Sequence, residues 1–273
     1  MVRISLTEKG FAWKFRPIFL EEVSLNGGNL SEEYLRINPK GQVPTLVHNG
    51  TPVYESYDII RHLDRLDPDQ GTRLIPQDPK MDEQVQGWVL QSSMRDGVKF
   101  GESLGMSIPI LSSPIIKACI NRQPVGHLIR KFRRHPVFSR RVGFLMLRVL
   151  PFIPKPVFRD SMKRVSRALV NIERTLENSD GPWLLGDFTQ ADIMMMAHFH
   201  RLEDVALGEI LEWDKLPRTR DYWKRLRARP SYRIAVTDWH EENWRKAIEA
   251  VFSRGPSDRL PALKERISGL LRD

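Results

Sequence analysis

The chain has 273 residues, 41% of them hydrophobic and 28% charged, with 43 Lys and Arg against 34 Asp and Glu and a formal net charge of +9. This is enough apolar material for one large globular domain or two ordinary ones, in a soluble chain. The single cysteine, Cys119, excludes an internal disulfide and offers no metal-site spacing, so it reads as a small buried apolar residue in a protein of the reducing cytoplasm.

The opening stretch "MVRISLTEKGFAWKF" carries charges every few residues and no long apolar core, so it is not a secretory signal. Up to about residue 75 the pattern alternates helix, strand, helix, strand-turn-strand and helix, an α/β arrangement. Its most informative part is "NPKGQVPTLVHNGTPVYESYDIIRHLD", Asn38 to Asp64. Pro44 stands at the mouth of the β run Thr45-Leu46-Val47, where its missing N–H keeps it from a central ladder position. A cis Val43-Pro44 bond there turns the backbone groups of Val43 outward, toward an extended ligand backbone. Asn49-Gly50 signals a two-residue hairpin, and Pro52-Val53-Tyr54 is the returning strand. Glu55 and Ser56 then occupy a strand-to-helix junction ahead of Ile59, Ile60 and Leu63. The Ser56 hydroxyl and the first amides of that helix suit a carboxylate, and Glu55 suits an ammonium group.

"IPQDPK", residues 75 to 80, reads as a linker, and from residue 81 the periodicity is helical. Val85, Trp88 and Val89 share one face; Met162, Val165, Leu169, Ile172 and Leu176 recur at spacings of three and four. Between them, residues 103 to 159 hold eleven of the Lys and Arg residues and no Asp or Glu. Pro109, Pro114, Pro124, Pro136, Pro151, Pro154 and Pro156 divide this segment into short helices, and it reads as an insertion. Its charges, with Phe132, Phe138, Phe144, Leu145 and Leu147, predict a basic, partly apolar surface for an anionic membrane or an acidic partner, as in a peripheral membrane protein. Nucleic acid is the rival anion, but no recognition motif is present and no such partner is expected. "VGFLMLRVLPFIP" is too short to span a bilayer. Further on, Thr189 and Asp192 have capping-box spacing behind an apolar Phe188, and Met194, Met195 and Met196 read as core packing. The end, "PALKERISGLLRD", is a short charged amphipathic helix.

"NPKGQVPTLVHNG" followed by "VYESYDIIRHL" resembles the glutathione-binding half of the glutathione S-transferase superfamily, and "GDFTQADI" resembles the element that begins the core helix of that family's second domain. The resemblance implies an α/β thioredoxin-like domain over residues 1–75 and an all-α helical domain over 81–273, in a homodimeric enzyme that uses glutathione as co-substrate on a small hydrophobic or aromatic electrophile. It implies that Val43 beside Pro44 binds the peptide backbone, that Glu55 and Ser56 take the γ-glutamyl end, and that Gln42 and Lys40 reach the glycine carboxylate. Trp88, Gln91, Ser92 and Arg95 stand at the spacing of an electrophile pocket across from them. The family's thiol-activating Ser, Cys or Tyr lies in a turn before its first helix, a position that here falls before Met1. Ser5 lies further along the helix than that motif and reads as a solvated helix residue. Two explanations stay open: a start assigned too late, in which case an extended form gains conjugating activity, or a true lack of the first strand. The second leaves a non-catalytic glutathione-binding or membrane-surface protein as the alternative. Long insertions between the first two helices of the second domain occur in β-etherase, reductive dehalogenase and ganglioside-induced differentiation-associated relatives, and "HRLEDVALGEILEWDKLPRTRDYWKRLRARPSYRIAV" looks most like the last of these.

Overall fold

The computed structural model describes residues 1–94, 103–150, 153–239, 241–253 and 255–272. Helix α1 (Val2–Glu8) turns Ile4 and Leu6 inward and stops where Gly10 adopts a φ of +66°. The Gly10 and Phe11 amides bond back to the Thr7 and Leu6 carbonyls at 3.1 Å each, a helix end that favours a residue without Cβ. Ser5 is not solvated as expected: it is buried, and its hydroxyl donates to the Val2 carbonyl at 2.8 Å. Helix α2 (Glu32–Ile37) starts on the Ser31 hydroxyl, which accepts from the Tyr34 amide, with Glu32 and Glu33 at the positive end of its dipole.

Strands β1 (Leu46–His48) and β2 (Thr51–Val53) pair antiparallel, Leu46 opposite Val53, Val47 opposite Pro52 and His48 opposite Thr51. Asn49 and Gly50 both have positive φ, 50° and 80°, as a two-residue turn matched to strand twist requires. Helix α3 (Ser56–Leu66) follows, burying Ile59, Ile60 and Leu63. The strand expected between the first two helices does not form. Among the described residues no strand lies beside it, and extended backbone without a ladder partner makes no sheet. Trp13 and Phe15 instead stack on Trp239, with ring centroids 6.4 and 4.4 Å away.

The helical part begins at α4 (Pro79–Ser92), capped by the Asp78 side chain on the Lys80 amide. It continues through α5 (Leu104–Leu111), α6 (Ser113–Asn121), α7 (Val125–Phe132), α8 (Phe138–Val149) and the long α9 (Lys155–Glu177). It closes with α10 (Gln190–Asp204), α11 (Pro217–Ala228), α12 (Pro230–Ala235), α13 (Glu242–Phe252) and α14 (Leu260–Leu270). The expected face of α9, Met162 to Leu176, is buried in the main core. So are Met194, Met195 and Met196 on α10, whose start is a true capping box: Asp192 Oδ2 accepts from the Thr189 amide at 2.8 Å.

The segment read as one insertion proves to be two things. Helices α5 and α6 belong to the body, with Ile108, Leu111, Ile115 and Cys119 in the main core, because their apolar residues have α4, α9 and α13 to pack against. Burial raises the Cys119 thiol to about 11. Pro109 marks no break; it sits inside α5, where so short a helix loses one backbone bond by it. Only α7 and α8 form an arm, around a small core of Leu30, Ile120, Leu128 and Phe132, with Phe144, Leu145 and Leu147 packed on it. Of the apolar residues expected on the outer surface, then, Phe138 is exposed and Phe132 is not, since the arm must fill its own interior. Much of the positive charge also works internally. Lys117 Nζ donates to the Leu147 and Arg148 carbonyls at 2.8 and 3.2 Å at the end of α8, and Lys131 pairs with the buried Glu21 at 2.9 Å.

Candidate functional site

Between the hairpin unit and the helical part lies a cleft of about 2770 Å³, well beyond the roughly 300–1,000 Å³ that a single small ligand fills. One wall is the loop from Lys40 to Thr45, and its shape is fixed from behind by polar residues on and around α2. Asn29 Nδ2 donates to the Gly41 carbonyl at 2.9 Å, and Asn38 Nδ2 and Tyr34 Oη donate to the Gln42 carbonyl at 2.9 and 2.5 Å. Burial, opposed by the Thr45 and Asn38 side chains, raises the Tyr34 hydroxyl, so it stays a donor. Gly41, at φ +62°, lets the chain turn inside this cage. The Val43-Pro44 bond is cis.

Hairpin β1–β2 then delivers Glu55 and Ser56 to the same wall. Glu55 has φ +59° and ψ 122°, a backbone conformation that a residue with Cβ rarely adopts and that recurs at ligand clamps. Ser56 opens α3, whose first amides point toward the cleft end of the helix. The Gln42 amide, oriented to satisfy both its ends, donates to Glu55 Oε1 at 3.1 Å and accepts from Arg140 Nη2 at 2.9 Å. Lys40, Gln42, Val43, Pro44, Glu55 and Ser56 thus line one cleft.

The opposite wall comes from the end of α4, from α5 and α6, and from α8 and α10. Of the residues expected here, Ser92 borders the cleft, and its hydroxyl donates to the Trp88 carbonyl at 2.6 Å. Trp88 is a core residue, because the apolar face it shares with Val85 and Val89 turns to the helical interior. Gln91 is exposed and lies outside the cleft lining, a quarter-turn or more round the helix from Ser92. Arg95 falls outside the described residues. Sequence reasoning missed Ser93, Ser112, His198 and Arg140, all of which border the cleft. The Ser93 and Ser112 hydroxyls are buried there without a hydrogen-bond partner among the described residues. His198 Nε2 donates to the Ser92 carbonyl at 2.7 Å, and burial, which outweighs that bond, lowers its pKa to about 4. No sequence pattern links these positions, since Ser93 and Ser112 cap helices and Arg140 and His198 lie on two others.

A small antiparallel hairpin and its flanking helices, set against an all-helical unit with a cleft between them, define a thioredoxin-like, two-unit transferase architecture. The family model for the glutathione S-transferase N-terminal domain matches residues 1–71, and that for the C-terminal domain matches residues 159–235. The chain belongs to the glutathione S-transferase family, whose co-substrate is glutathione. It is 26% identical to Protein LigF of a Sphingobium species over 252 residues, 89% of either chain. It is 28% identical over 216 residues to a 2,5-dichlorohydroquinone reductive dechlorinase of Sphingobium indicum, covering 72% of this chain and 60% of that one. The crystal structure of the β-etherase LigF superposes with a TM-score of 0.71 at 21% identity, over 87% of this chain and 93% of that one. A glutathione transferase from Populus trichocarpa superposes at 0.58 and 16% identity, over 90% and 92%. The two Sphingobium relatives are a β-etherase and a reductive dechlorinase, not the ganglioside-induced differentiation-associated kind that the stretch from His200 to Val236 resembles.

Proposed function

We propose that this chain binds glutathione in the cleft and transfers it to a hydrophobic or aromatic electrophile, as a homodimer in the cytoplasm. The observation that carries the reading is the convergence of Lys40, Gln42, Val43, Pro44, Glu55 and Ser56 on one wall. Glutathione's γ-glutamyl end has an ammonium for Glu55 and a carboxylate for Ser56 and the α3 amides, and its peptide backbone suits the Val43 main chain. The thiol then points across the cleft toward Met106, Ile110 and Phe144, an apolar wall suited to an aromatic partner. Protein LigF carries the name of a β-etherase and the Sphingobium indicum relative acts on a dichlorinated hydroquinone, which supports an aromatic electrophile. These residues supply binding and position; lowering the thiol pKa toward neutrality is a separate task. Titration calorimetry tests the reading. Ser56→Ala removes one charge-assisted hydrogen bond of ~1.5–3 kcal/mol and is expected to weaken glutathione binding about tenfold or more. Equal affinity in the two proteins would refute the assignment.

A second reading, contact with an anionic membrane surface, is favoured by the outer side of the arm. Phe138, near Arg133, Arg134 and Arg141, is 71% exposed at the start of α8, and Val149 is 77% exposed at its end. Vesicle co-sedimentation is expected to rise with anionic lipid and fall with salt; binding indifferent to lipid charge would sink it.

A further inference from the structure

We propose that Arg140, on the arm helix α8, is a binding residue for the glycine carboxylate of glutathione, held in position by Gln42. This rests on the cleft being the glutathione site. The face of α8 that borders the cleft carries Val137, Arg140, Phe144 and Leu147, so Arg140 is the cation that this face offers to a ligand. Its guanidinium is not adrift: Nη2 donates to the Gln42 amide oxygen at 2.9 Å, and the same amide donates to Glu55 Oε1 at 3.1 Å. A chain of side chains, Arg140 to Gln42 to Glu55, therefore ties the arm to the residues that begin α3.

Charge matching identifies the occupant. Glutathione brings one ammonium and two carboxylates. Glu55 answers the ammonium, and Ser56 with the α3 amides answers the γ-glutamyl carboxylate, which leaves the glycine carboxylate in need of a cation. A guanidinium has five N–H donors in a planar fork, Gln42 takes one, and a fork meets a carboxylate with two parallel hydrogen bonds. Lys40 sits in the same wall, but it is exposed, and its flexible point charge cannot make that paired contact. The carboxylate of Glu22 also faces Arg140, and burial raises its pKa while Arg140 opposes the rise.

The test is calorimetry on the whole chain with glutathione and with its glycine ethyl ester, in which that carboxylate is capped and uncharged. Arg140→Ala is expected to weaken glutathione binding about tenfold while changing ester binding less than twofold, and Arg140→Lys is expected to restore part of the loss. Melting curves of each variant report whether it folds; Arg140 is half-buried on the arm, and the lysine variant keeps its charge and length. An Arg140→Ala loss that is equal for both ligands, or no loss at all, overturns the proposal while Ser56→Ala still weakens binding. If Ser56→Ala binds as well as the wild type, the reading of the cleft fails instead, and this inference falls with it.

Discussion

Glu55 holds a strained backbone conformation on the cleft wall. Its φ of +59° costs of order 1–3 kcal/mol in a residue with Cβ, and glycine at that position avoids the cost at ~0.5–1 kcal/mol of extra chain entropy. Glu55→Gly is therefore expected to melt at or above the wild-type temperature while losing glutathione affinity, a combination that thermal melts and calorimetry on one preparation would reveal. His198 makes the opposite contribution, through pH. Above about pH 6.5 it is neutral in both folded and unfolded chains. Below that the unfolded chain takes up a proton that the buried ring refuses until about pH 4. Stability is thus lost as pH falls through this window, by about 3 kcal/mol if the full shift is expressed. His198→Gln should flatten that part of a stability-versus-pH curve; an unchanged slope would mean another group sets it, with His135, also lowered to about 4 by burial and then by Arg140 and Arg141, the first to test.

At the scale of elements, helix α10 depends on one carboxylate. Asp192 is fully buried, accepts from the Thr189 and Leu184 amides at 2.8 and 3.2 Å, and accepts from the Tyr222 hydroxyl at 2.7 Å, which joins the start of α10 to α11. Burial raises its pKa against these hydrogen bonds, so the carboxylate is held at a cost that only its donors offset. Asp192→Ala removes a cap worth ~1 kcal/mol and strands the Tyr222 hydroxyl at ~1–3 kcal/mol. A loss of at least ~2 kcal/mol by urea denaturation is expected; under ~0.5 kcal/mol would show that the network is not what holds the helix start. The arm α7–α8 illustrates the reverse case, in which a small core of its own and lysine-capped carbonyls keep two short helices in place.

At the scale of the whole molecule, the two parts are locked near the start of the chain. Arg229, at the head of α12, donates from Nε to Glu8 Oε1 at 2.7 Å and lies 3.8 Å over the Phe188 ring; Thr72 donates to Glu8 Oε2 at 2.9 Å. Burial alone would raise the Glu8 carboxyl, but Arg229, Ser231 and Thr72 outweigh it and hold it below the usual carboxylate range. Its contribution is therefore present at neutral pH and lost on acidification through the carboxylate range. Arg229→Ala leaves a nearly buried carboxylate without its cation and is expected to cost ~3 kcal/mol or more. Glu8→Gln combined with it should cost less than the two single changes added, because they share one interaction. Strict additivity in a denaturation cycle would contradict the lock. Lys9 with Asp64, both buried and 3.1 Å apart, forms a second such tie within the hairpin unit.

The sequence alone determined whatever rests on local chemistry. Asn49-Gly50 fixes the hairpin because both residues accept positive φ, Thr189 with Asp192 fixes the start of α10 because a cap spans only one turn, and the spacing of Met162 to Leu176 fixes the buried face of α9 because helical period needs no partner to be read. One wall of the cleft was legible for the same reason: Lys40 to Pro44 and Glu55-Ser56 lie within one short stretch of chain. What only the tertiary structure decided is which distant helix completes each surface. Trp88 and Ser92 are one turn apart on α4, yet one enters the core and the other the cleft, and nothing local separates them. Arg140 looked like one basic residue among eleven, and Phe132 like its exposed neighbour Phe138. The fold sends Arg140 to Gln42 and Phe132 inward, because a long-range contact is set by how whole elements pack, a quantity that no window of sequence contains.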